Sequence, residues 1–179
     1  MTRLFIFLIA VSLFAACNSK KESSGLAQVS MNPQEIILFY LDSLQHQSLT
    51  KIVSINQKSD TIKILHADWI QEMDFLDALN TNKPAYKGAL MLDTMHKADT
   101  LIYHLTCIDQ KLPMKEATIY YHKEQLLHMN IKSFQHNFLF NNVKEIYFNP
   151  LKGYCIKGFQ KLDLITKHNV SYTIQVTKT

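Results

Sequence analysis

The strict alternation of apolar and polar residues in the last part of the chain is the feature that most restricts its fold. Val170, Tyr172 and Ile174 each follow a polar neighbour, and Val176 continues the series. Successive side chains of a β-strand point to opposite faces, so this period predicts a strand with one buried and one exposed face. The same alternation predicts strands in two earlier series: Leu101, Tyr103 and Leu105, and Leu127, Met129 and Ile131.

Two helical patterns come before these strands. Asn32 is a favourable N-cap, Pro33 suits the first helical position, and Glu35 lies three residues after the cap, as in a capping box. A wide apolar stripe follows, so the first helix is expected over residues 32–47. Apolar residues at helical spacing predict a second helix over residues 68–79.

A hairpin is expected between the two helices. Two short β-branched runs, residues 52–55 and 61–65, are separated there by five polar residues. From about residue 86 onward strand patterns dominate, and short connections pair strands that are neighbours in sequence. The expected fold class is therefore α+β: a curved antiparallel sheet, arranged as a meander, with two helices packed on one face.

The first sixteen residues have the layout of a signal peptide. Arg3 supplies a positive charge, and residues 4–14 form an apolar run that ends in small residues before Cys17. A helix of that length rises about 16 Å, whereas the hydrocarbon core of a membrane is about 30 Å thick. The run is therefore predicted to be a cleaved signal and not a membrane span.

The segment Phe14-Ala15-Ala16-Cys17 resembles the bacterial lipobox. This resemblance implies cleavage before Cys17 and attachment of lipid to that cysteine, although Phe14 stands where Leu is usual. The alternative is an ordinary secretory signal that is cut after Ala16 and has a cysteine at the junction by chance. The resemblance also implies an outer-membrane protein facing the periplasm, since Asn18 is not the Asp that retains lipoproteins at the inner membrane.

The chain divides into three parts on these grounds. Residues 1–16 are the predicted signal peptide, and residues 17–30 are the lipidated cysteine with a polar tether that lacks the apolar surface needed to fold. Residues 31–179 are expected to form a single α+β domain, which is an ordinary domain length.

Arginine is nearly absent, because Arg3 is the single arginine in the sequence. The part that follows the predicted signal peptide carries 18 lysines against 15 aspartates and glutamates, a balance of +3 with neutral histidines. Arginine is the preferred residue for bidentate contacts with phosphate and guanine. The sequence therefore predicts no nucleic-acid partner.

The stretch Asn82-Lys83-Pro84-Ala85-Tyr86-Lys87-Gly88, with the acidic helix before it, resembles a family of small uncharacterised lipoproteins of Bacteroidota-type bacteria. The resemblance covers residues 54–88 and the lipobox, and it implies no activity or ligand. The order of elements also resembles the half-barrel lipoprotein carriers of the Lol type, in which helices cover a curved sheet. Fold analogy of this kind does not define a function.

Cys107 and Cys155 are the cysteines of the predicted domain, and in an oxidising envelope they are a possible disulfide pair. Strand parity favours two separate thiols instead. Cys107 shares a predicted face with apolar Leu105, whereas Cys155 lies between apolar Tyr154 and Ile156 and so points to the other face. Because a bulge can change the parity, both readings remain open.

The polar residues form no recognisable catalytic or metal-binding motif. The eight histidines lack the short spacings of metal ligands, and they are interpreted as surface residues. His66 and Asp68 are weakly placed for a catalytic triad, and the acidic residues of the second helix fit a solvated face better than a sugar-hydrolysing pair or a calcium site. We therefore expect no enzyme, no cofactor and no metal.

Aromatic residues are the remaining candidates for a site. Most are expected in the core, but some are candidates for an apolar ligand surface between sheet and helices: Phe39, Tyr40, Tyr120, Tyr121, Tyr147 and Phe148. The functional hypothesis is a lipid-anchored, non-enzymatic envelope protein that binds a protein or lipid of the envelope or has a structural role there. The alternative is a carrier or chaperone for a hydrophobic lipid or lipoprotein. The sequence predicts no oligomeric state.

Overall fold

A computed structural model describes residues 31–45, 47–137, 139–162 and 169–179. The predicted signal peptide, Cys17 and the tether lie outside the described residues. Within them, no helix is both long enough and apolar enough to cross a membrane.

The helices are shorter than the sequence patterns predict. Helix α1 covers Pro33–Leu41 and continues as a 3₁₀ turn over Asp42–Leu44. Helix α2 covers Trp69–Glu72, and 3₁₀ helices follow over Asp74–Leu79 and Pro84–Tyr86.

Side-chain caps explain where both helices begin. The Asn32 side chain accepts a hydrogen bond from the backbone N–H of Gln34, and the Asp68 carboxylate accepts two, from Ile70 and Gln71. The predicted continuous second helix is wrong, because Met73, with φ −114° and ψ 48°, leaves the helical region after one turn.

Nine strands form one open antiparallel sheet in the described part of the chain, which confirms the predicted antiparallel sheet. The strands are β1 Leu49–Ile55, β2 Lys58–Ile64, β3 Leu90–Lys97, β4 Thr100–Cys107, β5 Met114–His122, β6 Gln125–His136, β7 Phe140–Asn149, β8 Gly153–Leu162 and β9 Asn169–Lys178. Their order is β2-β1-β9-β8-β7-β6-β5-β4-β3. Strands β3 to β9 are therefore a meander, and the β1–β2 hairpin is added beside β9.

The apolar core lies on one side of the central strands, and we call that side the core face and the opposite side the outer face. Core-face residues of β4 to β9 share a buried cluster with residues of the helical segments, including Trp69 and Leu79. The strand members of the cluster include Leu105, Ile119, Met129, Ile131, Ile146, Phe148, Tyr154, Ile156 and Val176. These positions are the ones that alternation selects as buried.

A bulge changes the expected face of one residue. Leu127 was predicted to be buried with Met129, but it is 40% exposed and Leu126 is buried in its place. The pairing of β5 with β6 shifts by one residue between Tyr120 and Tyr121, which puts Leu126 opposite Tyr121. An extra residue in one strand reverses the alternation on one side of it.

Three tyrosine hydroxyl groups join the helical and loop segments to the sheet. The Tyr40 hydroxyl accepts a hydrogen bond from the N–H of Leu126 at 3.2 Å, and the Tyr86 hydroxyl accepts one from Met114 at 3.1 Å. The Tyr154 hydroxyl donates to the carbonyl of Glu72 at 2.8 Å. Burial raises the pKa of Tyr154, so its hydroxyl remains a donor at neutral pH.

Candidate functional site

The outer face of β5 to β8 carries a depression of about 560 Å³. Two neighbouring rows of side chains, each crossing these four strands, line it. The first row is Glu116, Lys132, Glu145 and Lys157, and the second row is Thr118, Asn130, Tyr147 and Cys155. The members of each row are directly paired across the strands, so the register of the sheet builds the depression.

The first row alternates in charge and is neutral as a whole. The ammonium of Lys132 lies 2.7 Å from a carboxylate oxygen of Glu116, and its other neighbour in the row is Glu145. The hydrogen bond to Glu116 and the negative charges of Glu116 and Glu145 raise the pKa of Lys132. Opposite charges on directly paired residues stabilise a sheet, and here they also place charged hydrogen-bond donors and acceptors on the outer face.

An aromatic stack borders the depression. The ring centroids of Tyr120 and His128 are 4.2 Å apart, and those of His128 and Tyr147 are 5.6 Å apart, both in stacked geometry. Burial lowers the pKa of His128, so the imidazole is neutral at neutral pH. Tyr147 remains 39% exposed and brings an aromatic surface to the second row.

The thiol of Cys155 belongs to this outer face and is half-buried beside Tyr147. Burial raises its pKa, while the charge of Lys157 opposes this shift. The thiol is therefore protonated at neutral pH, and a protonated thiol is a poor nucleophile.

The possible disulfide is not formed in the structure, since Cys107 and Cys155 are both free. Cys107 is buried on the core face in β4, whereas Cys155 lies on the outer face of β8, with three strands between them. Four strand spacings amount to about 19 Å, far more than the about 4–7 Å that a disulfide allows between Cα atoms.

The six candidates for an apolar ligand surface do not lie on one face of the sheet. Tyr120 and Tyr147 lie on the outer face, and Tyr121 and Phe148 lie on the core face, where burial raises the pKa of Tyr121 to about 12. Phe39 and Tyr40 contact each other edge to face at 5.2 Å on helix α1. Tyr40 lies near Tyr121 on the core face, since its hydroxyl accepts from the N–H of Leu126, the residue paired with Tyr121. Consecutive residues of a strand point to opposite faces, so the pairs at 120–121 and 147–148 had to separate.

Three acidic residues of the predicted second helix have structural partners. Glu72 forms an ion pair with Lys51 at 2.6 Å, and Asp77 forms one with Lys83 at 2.8 Å. Asp68 caps helix α2. In the part of the chain that the structure describes, no three His, Cys, Asp or Glu side chains are grouped as metal ligands.

Sequence reasoning missed most of this surface. The alternation with Met129 and Ile131 predicts His128, Asn130 and Lys132 on the polar side of their strand, and that is where they lie. The sequence alone does not predict that these residues lie beside Glu145 and Lys157, because the register of β6, β7 and β8 brings them together.

Comparisons with protein-family models, with curated proteins and with solved structures each gave no match to this chain.

Proposed function

We propose that this chain is a lipid-anchored protein of the cell envelope, held by lipid on Cys17 at the periplasmic face of the outer membrane. Its folded part is a non-enzymatic module that binds another envelope protein. The observation that carries this proposal is the lined depression on the outer face of β5 to β8. The lipobox-like segment before Cys17 supports the anchor.

The proposed arrangement of the domain is a curved sheet whose helical segments all cover the core face. The shared buried cluster and the hydrogen bonds of Tyr40 and Tyr154 support it. In this arrangement the outer face has no covering layer from the described residues, and it is the face that a partner can reach.

The chemistry of the outer face favours a protein over a lipid as the partner. The charged row is neutral as a whole, so it offers no net attraction to anionic headgroups. Alternating charges beside an exposed aromatic ring suit a protein surface of complementary charge pattern, since such patterns fix register and exclude wrong partners. Tyrosine is also enriched in protein interfaces.

The alternative function, a carrier of a hydrophobic molecule, requires a cavity between the sheet and the helices. Trp69, Met73 and Leu79 of the helical segments and Met129 and Phe148 of the sheet are at most 1% exposed and belong to one buried cluster. Such packing supports the binding module, because a carrier site of this kind needs unfilled apolar space.

Replacing Cys17 by Ala is expected to abolish incorporation of a fatty-acid analogue into the full chain and to release the protein from the membrane fraction. Acyl chains hold a protein through about 0.8 kcal/mol per buried methylene, so their loss removes the anchor. The matched control is Cys155→Ala, which should keep both the label and the membrane fraction. Persistent label on Cys17→Ala would disprove the anchor.

A photo-crosslinking amino acid at Tyr147 of the full chain, in its native envelope, is expected to give one defined protein adduct. The control position for the cross-linking amino acid is Thr61. It is exposed on the outer face of the edge strand β2, four strands from Tyr147 along the row of directly paired residues that contains Tyr147. Adding Glu145→Lys should reduce the Tyr147 adduct at least tenfold, because it puts three lysines in sequence along the charged row. The same adducts at Tyr147 and Thr61, or a Tyr147 adduct whose yield is unchanged by Glu145→Lys, would contradict the proposal.

A further inference from the structure

The strand β3 is an unusually open edge of the sheet. It pairs with β4 over eight residues without a bulge, and its other side has no strand beside it among the described residues. Met91, Leu92 and Met95 are exposed by 58%, 50% and 57%. Proteins usually protect such edges with charges, prolines, bulges or short strands, because a free edge pairs with other strands.

The opposite edge of the sheet differs in this respect. Strand β2 has charged residues at three of its seven positions, Lys58, Asp60 and Lys63. Strand β3 has two charged residues at its eight positions, Asp93 and Lys97, and its first three residues, Leu90 to Leu92, are uncharged. Both edges have an aspartate that binds the next backbone N–H, but β3 has fewer charges and more exposed apolar side chains than β2, so β3 is the edge better suited to pairing.

The backbone groups that β3 presents outward follow from its pairing with β4. The N–H of Ile108 donates to the carbonyl of Ala89 at 2.9 Å, and hydrogen-bonded pairs in an antiparallel ladder recur at every second residue. The N–H and carbonyl groups of residues 91, 93, 95 and 97 therefore point toward β4. Those of Leu90, Leu92, Thr94 and His96 point to the free edge, where the N–H of Thr94 donates to the Asp93 carboxylate at 2.8 Å.

We propose that β3 pairs with β3 of a second copy of this chain, antiparallel and centred on Met95, so that two sheets continue as one. In this register Thr94 exchanges backbone hydrogen bonds with His96 of the second copy. The Thr94 N–H leaves the Asp93 carboxylate, which then pairs with Lys97 of the second copy. Met95 faces Met95 of the second copy across a two-fold axis. Such a symmetric contact closes on itself and gives a dimer.

Charge complementarity selects this register. Centred on Met95, the pairing puts Asp93 directly opposite Lys97 of the second copy, twice by symmetry, and such cross-strand pairs stabilise a sheet. Centred on Asp93, it would put two carboxylates opposite each other. Centred on Thr94, it would put Asp93 opposite Met95 and leave Lys97 opposite Met91, so both charges would lose an ionic partner.

Cysteine cross-linking tests this register in the full chain in membranes, with Cys155→Ser present to remove the outer-face thiol. Met95→Cys is expected to form a disulfide-linked dimer under mild oxidation, because residues facing each other at a non-hydrogen-bonded pair have Cα atoms about 4.5 Å apart. The matched control is Met91→Cys, on the same face and equally exposed. Its two copies would be about 27 Å apart in this register, at about 3.4 Å per residue over eight residues, and should not cross-link.

Charge reversal gives the second measurement. Asp93→Lys is expected to lower the dimer yield of Met95→Cys at least tenfold, and the added change Lys97→Asp should restore it, which a folding defect would not permit. Equal yields from Met91→Cys and Met95→Cys, no dimer from Met95→Cys, or failure of the double reversal to restore it would each overturn the proposal.

Discussion

Replacing Trp69 by Ala is expected to lower the free energy of unfolding by about 3–5 kcal/mol, the usual range for removing a large aromatic side chain from a core. The Trp69 side chain is fully buried, and its indole N–H donates to the carbonyl of Gln47 at 3.4 Å. The change would therefore leave a cavity and remove a link between α2 and the segment before β1.

The measurement for Trp69 is urea unfolding of the purified full chain, compared with Ile70→Ala. Ile70 is the next residue of the same helix but is 55% exposed, so its loss should change the stability by less than about 1 kcal/mol. A Trp69→Ala chain about as stable as Ile70→Ala would show that the helical segment does not depend on this side chain.

Replacing Gly153 by Ala is expected to lower the free energy of unfolding by about 3 kcal/mol or more. Gly153 has φ +117°, and an added Cβ would lie 2.2 Å from the backbone carbonyl oxygen of Val176. Both the backbone strain and the overlap with a neighbouring strand cost about 1–3 kcal/mol each. Strands β8 and β9 would have to separate at this end to accept the methyl group.

Gly88 provides the control for Gly153, since it has φ +75° and no atom within 4 Å of an added Cβ. Gly88→Ala should therefore cost the backbone strain alone, about 1–2 kcal/mol. Equal losses of stability from the two substitutions in thermal or urea unfolding would show that the contact with Val176 relaxes without cost.

Local pattern was enough to predict most of the strands and both helix starts. Alternation around Val176 and Ile131 depends on the two-residue period of a strand, which is a property of the chain itself. The N-cap at Asn32 and the start of the second helix at residue 68 likewise depend on neighbouring residues. These features are confirmed because no distant contact is needed to produce them.

The failures involve features that local pattern does not contain. The bulge at Tyr120 reverses the face of Leu126, and only the pairing with β5 reveals it. The candidate site depends even more on pairing, since Glu116 and Lys132 become neighbours through strand register and not through spacing in sequence. Parity did separate Cys107 from Cys155, because it required only the alternation within each strand.

The union of β1 with β9 has a consequence for how the chain folds. Leu49 pairs with Lys178, so the second strand from the edge of the sheet finds its neighbour only at the far end of the described chain. Contacts of such long sequence separation form slowly, because the loop between them must first be closed. The β1–β2 hairpin therefore has no neighbouring strand to pair with until β9 is in place, so this union is expected to form after the meander.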